Sequence, residues 1–338
     1  MNAGERGLLT VLGGILVVGL TAVLPAAQAS VDLDSYAEWK RRGEIIVDGQ
    51  RVVADAGTKW KGRFSRVADV PVGDEVRVKG MRQPDGRVLA REIDVRPNGT
   101  ALFEPDVQQG SDELEGLWLR NGEAFEASED GKKEVIGEIE RDGRRVERVR
   151  RLVTRLAPPY VKQQRIRVYV IDNKEWNAMA MGNGAVWVFR GIMDDMSDDE
   201  LAIVVGHELV HYTHEHSRRQ MRRGLWTQLA GLSAILAAEA IDSPALKGAA
   251  QAGAVLTLSA LTSGYGRDLE DQADRVGLRY AYEAGFDVRA APGVWQRFLD
   301  KYGDGNRLTN FFFSDHSSSS ARRRNLEQEI ANNYPARR

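Results

Sequence analysis

The period of apolar and polar positions changes several times along the chain. Gly7 to Leu24 is an almost unbroken apolar run. A run of about 18 residues suits a signal-peptide core and is just long enough to cross a bilayer. Further on the period is two. Glu44-Ile45-Ile46-Val47 and Arg51-Val52-Val53-Ala54 flank Asp48-Gly49, a hairpin signal. Glu75 to Gly80 and Arg91 to Val95 alternate again, with Asp85-Gly86 as a turn between them. Four to five strands in about 65 residues predict a small all-β, OB-like barrel over 31–100, with Trp60 and Phe64 filling its centre. Residues 101–134 are polar and Gly-containing, and read as a linker with one short helix over Asp112 to Phe125. Then the period becomes helical. Val146, Val149, Leu152, Val153 and Leu156 share one face of a helix that Pro158-Pro159 ends. Leu201, Val204, Val205 and Leu209 repeat that pattern behind Ser197-x-x-Glu200, a capping box. Two apolar stretches, Leu225 to Ile241 and Ala249 to Leu261, fall short of the about 20 residues of a membrane span and predict a helical hairpin covering the site. Pro292 to Leu299 and Ser320 to Asn332 predict two last helices. The expected fold class is α+β: a mostly helical domain with a small sheet over 135–338, preceded by the small all-β domain.

Composition narrows the chemistry. The 338 residues suggest two domains, and 42% hydrophobic content excludes global disorder. A net charge of −2 offers no basic field for nucleic acid. With Cys 0, disulfides, thiolate metal sites and cysteine catalysis are excluded. Pro25 and Ala27-x-Ala29 after the apolar run match a signal-peptidase site, so residues 1–29 read as a signal peptide cut after Ala29. Glu5 offsets Arg6 at the front, which keeps open an uncleaved anchor over 7–24. Either way the remainder lies outside the cytoplasm, in the periplasm or an equivalent exported space.

The chemical core is Gly206-His207-Glu208-Leu209-Val210-His211. His-Glu-x-x-His on a helix puts two imidazoles on one face, where both meet one metal ion, with Glu208 in reach of a metal-bound water. Zinc needs a third protein ligand and an open fourth position. His214 and His216 lie too far round the helix to join both ligands. The segment Arg267-Asp268-Leu269-Glu270-Asp271-Gln272-Ala273-Asp274 offers carboxylates instead.

Here the sequence resembles the gluzincin metallopeptidase family of HtpX, BepA and the CAAX prenyl endopeptidases. The resemblance rests on His-Glu-x-x-His followed about 60 residues later by Glu-x-x-Ala-Asp. It implies Glu270 as third zinc ligand and Asp274 as the acceptor that orients a ligand imidazole. It also aligns Asn177-Ala178-Met179-Ala180 and Gly184-Ala185-Val186-Trp187-Val188 with the family's strand before the metal helix. His216 matches a histidine that the family often carries. His316 and Arg322 resemble the family's downstream His-Pro…Arg segment, with Ser317 in place of the proline. The resemblance covers about residues 135–335 and leaves the barrel aside.

The activity implied is that of an exported zinc-dependent metalloendopeptidase, with one Zn2+ per chain, acting on proteins or peptides such as misfolded envelope proteins. Glu208 is the general base, and His316 or Arg322 faces the oxyanion. His316 also suits a fourth zinc ligand that silences the enzyme. Gly184, Val186 and Val188 belong to a strand expected to bind extended substrate along its edge. Arg218, Arg219, Arg222 and Arg223 allow peripheral contact with anionic lipid. The alternative is a periplasmic chaperone or assembly factor with a latched, mainly structural zinc site. In a third reading the barrel is the functional part and the peptidase domain regulates it.

Overall fold

Alternating residues between Ser30 and Arg96 pair as six strands in a computed structural model. The structure describes residues 29–41, 43–98, 113–114, 117–120, 123–127, 133–140, 143–180, 184–216, 218–220, 266–303 and 319–334. The strands are β1 (Ser30–Arg41), β2 (Glu44–Val47), β3 (Gln50–Val53), β4 (Lys59–Lys61), β5 (Glu75–Arg82) and β6 (Val88–Arg96). They run in the order β3-β2-β1-β5-β6-β4. β3 also pairs in parallel with β6, Val52 facing Val88. Val47, Val52, Val76, Val78, Val88 and Ile93 fill the interior. Trp60 and Phe64 are only partly buried against it, so the centre expected for them is taken by β-branched side chains.

A second sheet follows, in the order β12-β13-β11-β10-β9-β8-β7. Its strands are β7 (Glu113–Leu114), β8 (Leu117–Arg120), β9 (Glu123–Ala127), β10 (Lys133–Glu140), β11 (Arg167–Asp172), β12 (Ala178–Ala180) and β13 (Ala185–Phe189). The helix expected over Asp112 to Phe125 is thus replaced by β7, β8 and β9, and the supposed linker extends the sheet. Arg120 pairs with Glu123 across Asn121-Gly122, a dipeptide that favours two-residue hairpins. The helices are α1 (Arg144–Leu156), α2 (Arg190–Asp195), α3 (Asp198–Thr213), α4 (Arg267–Glu283), α5 (Ala291–Tyr302) and α6 (Ser319–Asn333).

Helix α3 is anchored at its start. The Ser197 hydroxyl accepts from the Glu200 amide (3.3 Å), and the Glu200 carboxylate accepts from the Ser197 amide (2.9 Å). These bonds satisfy two of the amides that a helix N-terminus leaves without partners. Arg148 of α1 donates to the carbonyls of Met193 and Met196 and to Asp198, which ties α1 to the same turn. Every residue from Leu201 to Thr213 is buried, so α3 is a core helix rather than an amphipathic surface one. Among the described residues, no helix is long and apolar enough to cross a membrane. The leader expected before residue 29, the stretches Leu225–Ile241 and Ala249–Leu261, and His316 lie outside the described residues.

Candidate metal centre

Burying a histidine pair inside an apolar helix is costly unless each ring is hydrogen-bonded. Helix α4 supplies the partners because α3 and α4 cross closely at Gly206 and Gly277. A Cβ on Gly277 would lie 2.7 Å from the His207 amide nitrogen, and one on Gly206 2.9 Å from the Gly277 carbonyl oxygen. Two glycines therefore set the spacing of the helices, and with it the spacing of the polar groups they carry.

At this crossing His207 Nε2 and His211 Nε2 are 3.1 Å apart. Glu270 puts one carboxylate oxygen 3.4 Å from His207 Nε2 and the other 3.6 Å from His211 Nε2. Glu208 is further, 4.0 Å from His207 Nε2. His207, Glu208 and His211 form a group whose donor atoms all lie within 4.8 Å of one another. By distance, Glu270 is the carboxylate that joins the two imidazoles and Glu208 stands beside them. All four side chains are buried.

On its other nitrogen, His207 Nδ1–H donates to Asp274 (2.9 Å). Arg322 grips the same carboxylate with two bonds, of 2.9 and 2.6 Å, stands 3.6 Å from Glu270, and stacks 3.6 Å over the Trp295 ring. Burial pushes the Asp274 carboxyl up, but Arg322 and His207 outweigh it and bring it down to about 2. For His207, burial and Arg322 favour the neutral ring, but the hydrogen bonds to Asp274 and Glu270 prevail and raise it to about 9.

Arg322 is fully buried and spends its donors on Asp274 beside His207 and Glu270. The arginine expected to face the oxyanion is thus placed against Asp274, beside Glu270 and His207. The substrate strand also needs correction. Gly184 precedes β13, which holds Val186 and Val188, and β13 is bonded on both sides, to β11 and to β12. It has no free edge along these pairings; the outer strand at this end of the sheet is β12, which packs against α3.

Sequence reasoning missed three features of the site. The Gly206–Gly277 crossing had a legible trace, since each glycine sits inside a helical pattern where it costs about 1 kcal/mol relative to alanine. Gln272 is completely buried and bonded to His216, a contact between residues 56 positions apart that no local pattern announces. Tyr36 of β1 donates to the buried Glu215 just beyond α3, again across a long separation.

Comparison with known proteins gives two segments. Residues 141–330 match the model of Peptidase family M48, and residues 36–94 match a domain of unknown function, DUF5666. The chain is similar to the mitochondrial metalloendopeptidase OMA1 of Bos taurus, 31% identical over 48% of this chain and 32% of that protein. It is similar to the metalloprotease YcaL of Escherichia coli strain K12, 32% identical over 46% of this chain and 58% of that protein. It is also similar to the beta-barrel assembly-enhancing protease of Escherichia coli O157:H7, 33% identical over 39% of this chain and 28% of that protein. The chain thus spans between 28% and 58% of the length of these three relatives.

Proposed function

Because the chain belongs to peptidase family M48, we propose that it is a zinc-dependent metalloendopeptidase with His207, His211 and Glu270 as the ligands of one zinc ion per chain. The observation that carries this reading is the spacing of the three donors, 3.1, 3.4 and 3.6 Å. Ligands about 2.0–2.2 Å from a tetrahedral zinc stand about 3.3–3.5 Å from one another. Two imidazoles and one carboxylate, with no thiol available, are also the donor set of catalytic rather than structural zinc.

A bound zinc supplies Lewis-acid polarisation of the scissile carbonyl and lowers the pKa of a coordinated water. The chain's own residues do the rest. Glu208 takes the proton of the attacking water and passes it to the leaving amine. Asp274 holds His207 with its Nε2 lone pair toward the ligand cluster, and Arg322 fixes Asp274. An extended peptide adds to the outer strand β12, main chain to main chain, beside α3.

The biological setting belongs to the same proposal. The apolar run before Ala27-x-Ala29 supports export, with cleavage near Ala29 or retention by residues 7–24, and clearance of misfolded envelope proteins as the duty. The β3–β6 pairing supports an OB-like barrel for the N-terminal unit.

Zinc content and casein cleavage, measured on the natural chain and on Glu208→Gln, test the activity. The expected result is equal zinc in both and cleavage only in the natural chain. Client binding without cleavage in a zinc-loaded natural chain would instead favour the chaperone reading.

A further inference from the structure

The second imidazole of the site is held from an unexpected direction. His211 Nδ1 lies 2.9 Å from His216 Nδ1, and His216 Nε2 lies 3.2 Å from Gln272 Oε1. The Gln272 amide nitrogen donates to Ser35 (2.9 Å) and to Glu38 Oε1 (2.6 Å), both on β1 of the N-terminal unit. Arg219 donates to Gln272 Oε1 (2.6 Å) and to the Asp34 carbonyl (3.2 Å).

Donor and acceptor chemistry gives this chain a direction. Arginine only donates and a carboxylate only accepts. Arg219 on one side and Glu38 on the other therefore fix which end of the Gln272 amide is oxygen. That oxygen faces His216, so His216 carries its proton on Nε2 and accepts at Nδ1. His211 must then carry its proton on Nδ1, which turns the lone pair of Nε2 toward His207 and Glu270. Glu38 is itself clamped: its other oxygen accepts from the Gly49 amide (3.2 Å), and Arg275 of α4 stands 3.2 Å from Oε1 and 3.5 Å from Asp48. Gly49 has φ +67°, and a Cβ there would lie 3.0 Å from the Arg275 guanidinium. The Asp48-Gly49 turn thus seats the hairpin against α4.

We propose that strand β1 is a positioning element of the metal centre: Glu38, acting through Gln272 and His216, holds His211 in the tautomer whose Nε2 faces the metal position. This rests on the ligand assignment made above. His207 has its carboxylate, Asp274, within the matched peptidase segment, whereas His211 borrows one from the N-terminal segment. The two segments matched separately, 36–94 and 141–330, become one functional unit.

The test uses the full chain and two readouts besides turnover: zinc affinity by chelator competition, and the visible spectrum of the cobalt-loaded protein. Glu38→Ala and Gln272→Met are expected to weaken zinc binding by about 10–100-fold and to shift the cobalt spectrum. Glu38→Gln, which keeps an acceptor oxygen, should restore most of the affinity. Tyr36→Phe removes another bond between β1 and the catalytic unit, the one to Glu215, without touching the relay, and should bind zinc as the natural chain does. If Glu38→Ala does not fold, Gln272→Met carries the comparison. Zinc affinity unchanged in Gln272→Met, or lowered equally in Tyr36→Phe, overturns the relay. A natural chain that binds no zinc overturns the ligand assignment, and the relay with it.

Discussion

Glu208 and Arg322 show how differently two buried charged residues can serve one site. Glu208 stands beside the cluster of His207, His211 and Glu270 and is the base of the proposed reaction. Its replacement by glutamine keeps the shape and removes the base. The expected result is a fall in kcat of about 10²–10⁴-fold with zinc content unchanged, read by peptide hydrolysis and metal analysis. Arg322 is bound into the interior by Asp274, Glu270 and the Trp295 ring. Removing one member of a buried ion pair strands the other, so Arg322→Ala should cost about 3–5 kcal/mol in denaturant unfolding. Arg322→Lys should recover only part, because an ammonium cannot match the two-pronged grip on Asp274. At this scale the sequence was informative. His-Glu-x-x-His and Glu-x-x-Ala-Asp name residues that the fold brings together, because helical spacing alone puts each motif on one face. The role of Arg322 was not legible, since nothing local shows which acceptors a guanidinium will find.

At the scale of elements, the closeness of α3 and α4 decides whether two motifs become one site. The crossing has no room for a methyl group at Gly277, where a Cβ would meet the His207 amide and the Gly206 carbonyl carbon at 2.7 and 2.8 Å, both backbone atoms. Gly277→Ala is therefore expected to destabilise the chain by about 1–3 kcal/mol and to weaken zinc binding, because the helices must separate. Thermal unfolding with and without zinc would show both effects; an unchanged zinc-dependent rise in Tm would contradict the crossing's role. The strands teach a related lesson. Leu117 to Arg120 and Glu123 to Ala127 read as linker by composition, with no period of two to mark them, yet they pair as β8 and β9. The edge position sought at β13 belongs to β12, since strand order in a sheet follows from long-range pairing rather than from local pattern.

For the whole molecule, the seam between β1 and the end of α3 carries buried histidines. Burial, helped by the charges of Arg219 and Arg275, brings His214 down to about 3, and burial likewise holds His216 well below its ordinary value. His214 sits edge-on to the Tyr36 ring at 5.2 Å. The unfolded chain protonates such a histidine near its ordinary value of about 6.5, and the folded chain only near 3. Between those values the unfolded state binds more protons, so stability is fully present above about 6.5 and falls as pH drops. For His214 alone the loss is about 2 kcal/mol by pH 5. Urea unfolding at pH 7 and pH 5 checks this; His214→Leu should flatten the difference, and an equal slope in that variant would assign the acid sensitivity elsewhere.

The sequence by itself determined the chemistry: which residue types can bind a metal, which helix carries them, and the strands of the N-terminal sheet. Those properties follow from spacings of two to four residues along one chain. Tertiary structure alone decided that β1 reaches Gln272, that Arg322 braces Asp274, and that β12 is the outer strand. The first two join residues 234 and 48 positions apart, and the third depends on β11 pairing with β13 rather than with β12; each is set by how the sheets and the α3–α4 crossing pack, which no short-range period encodes.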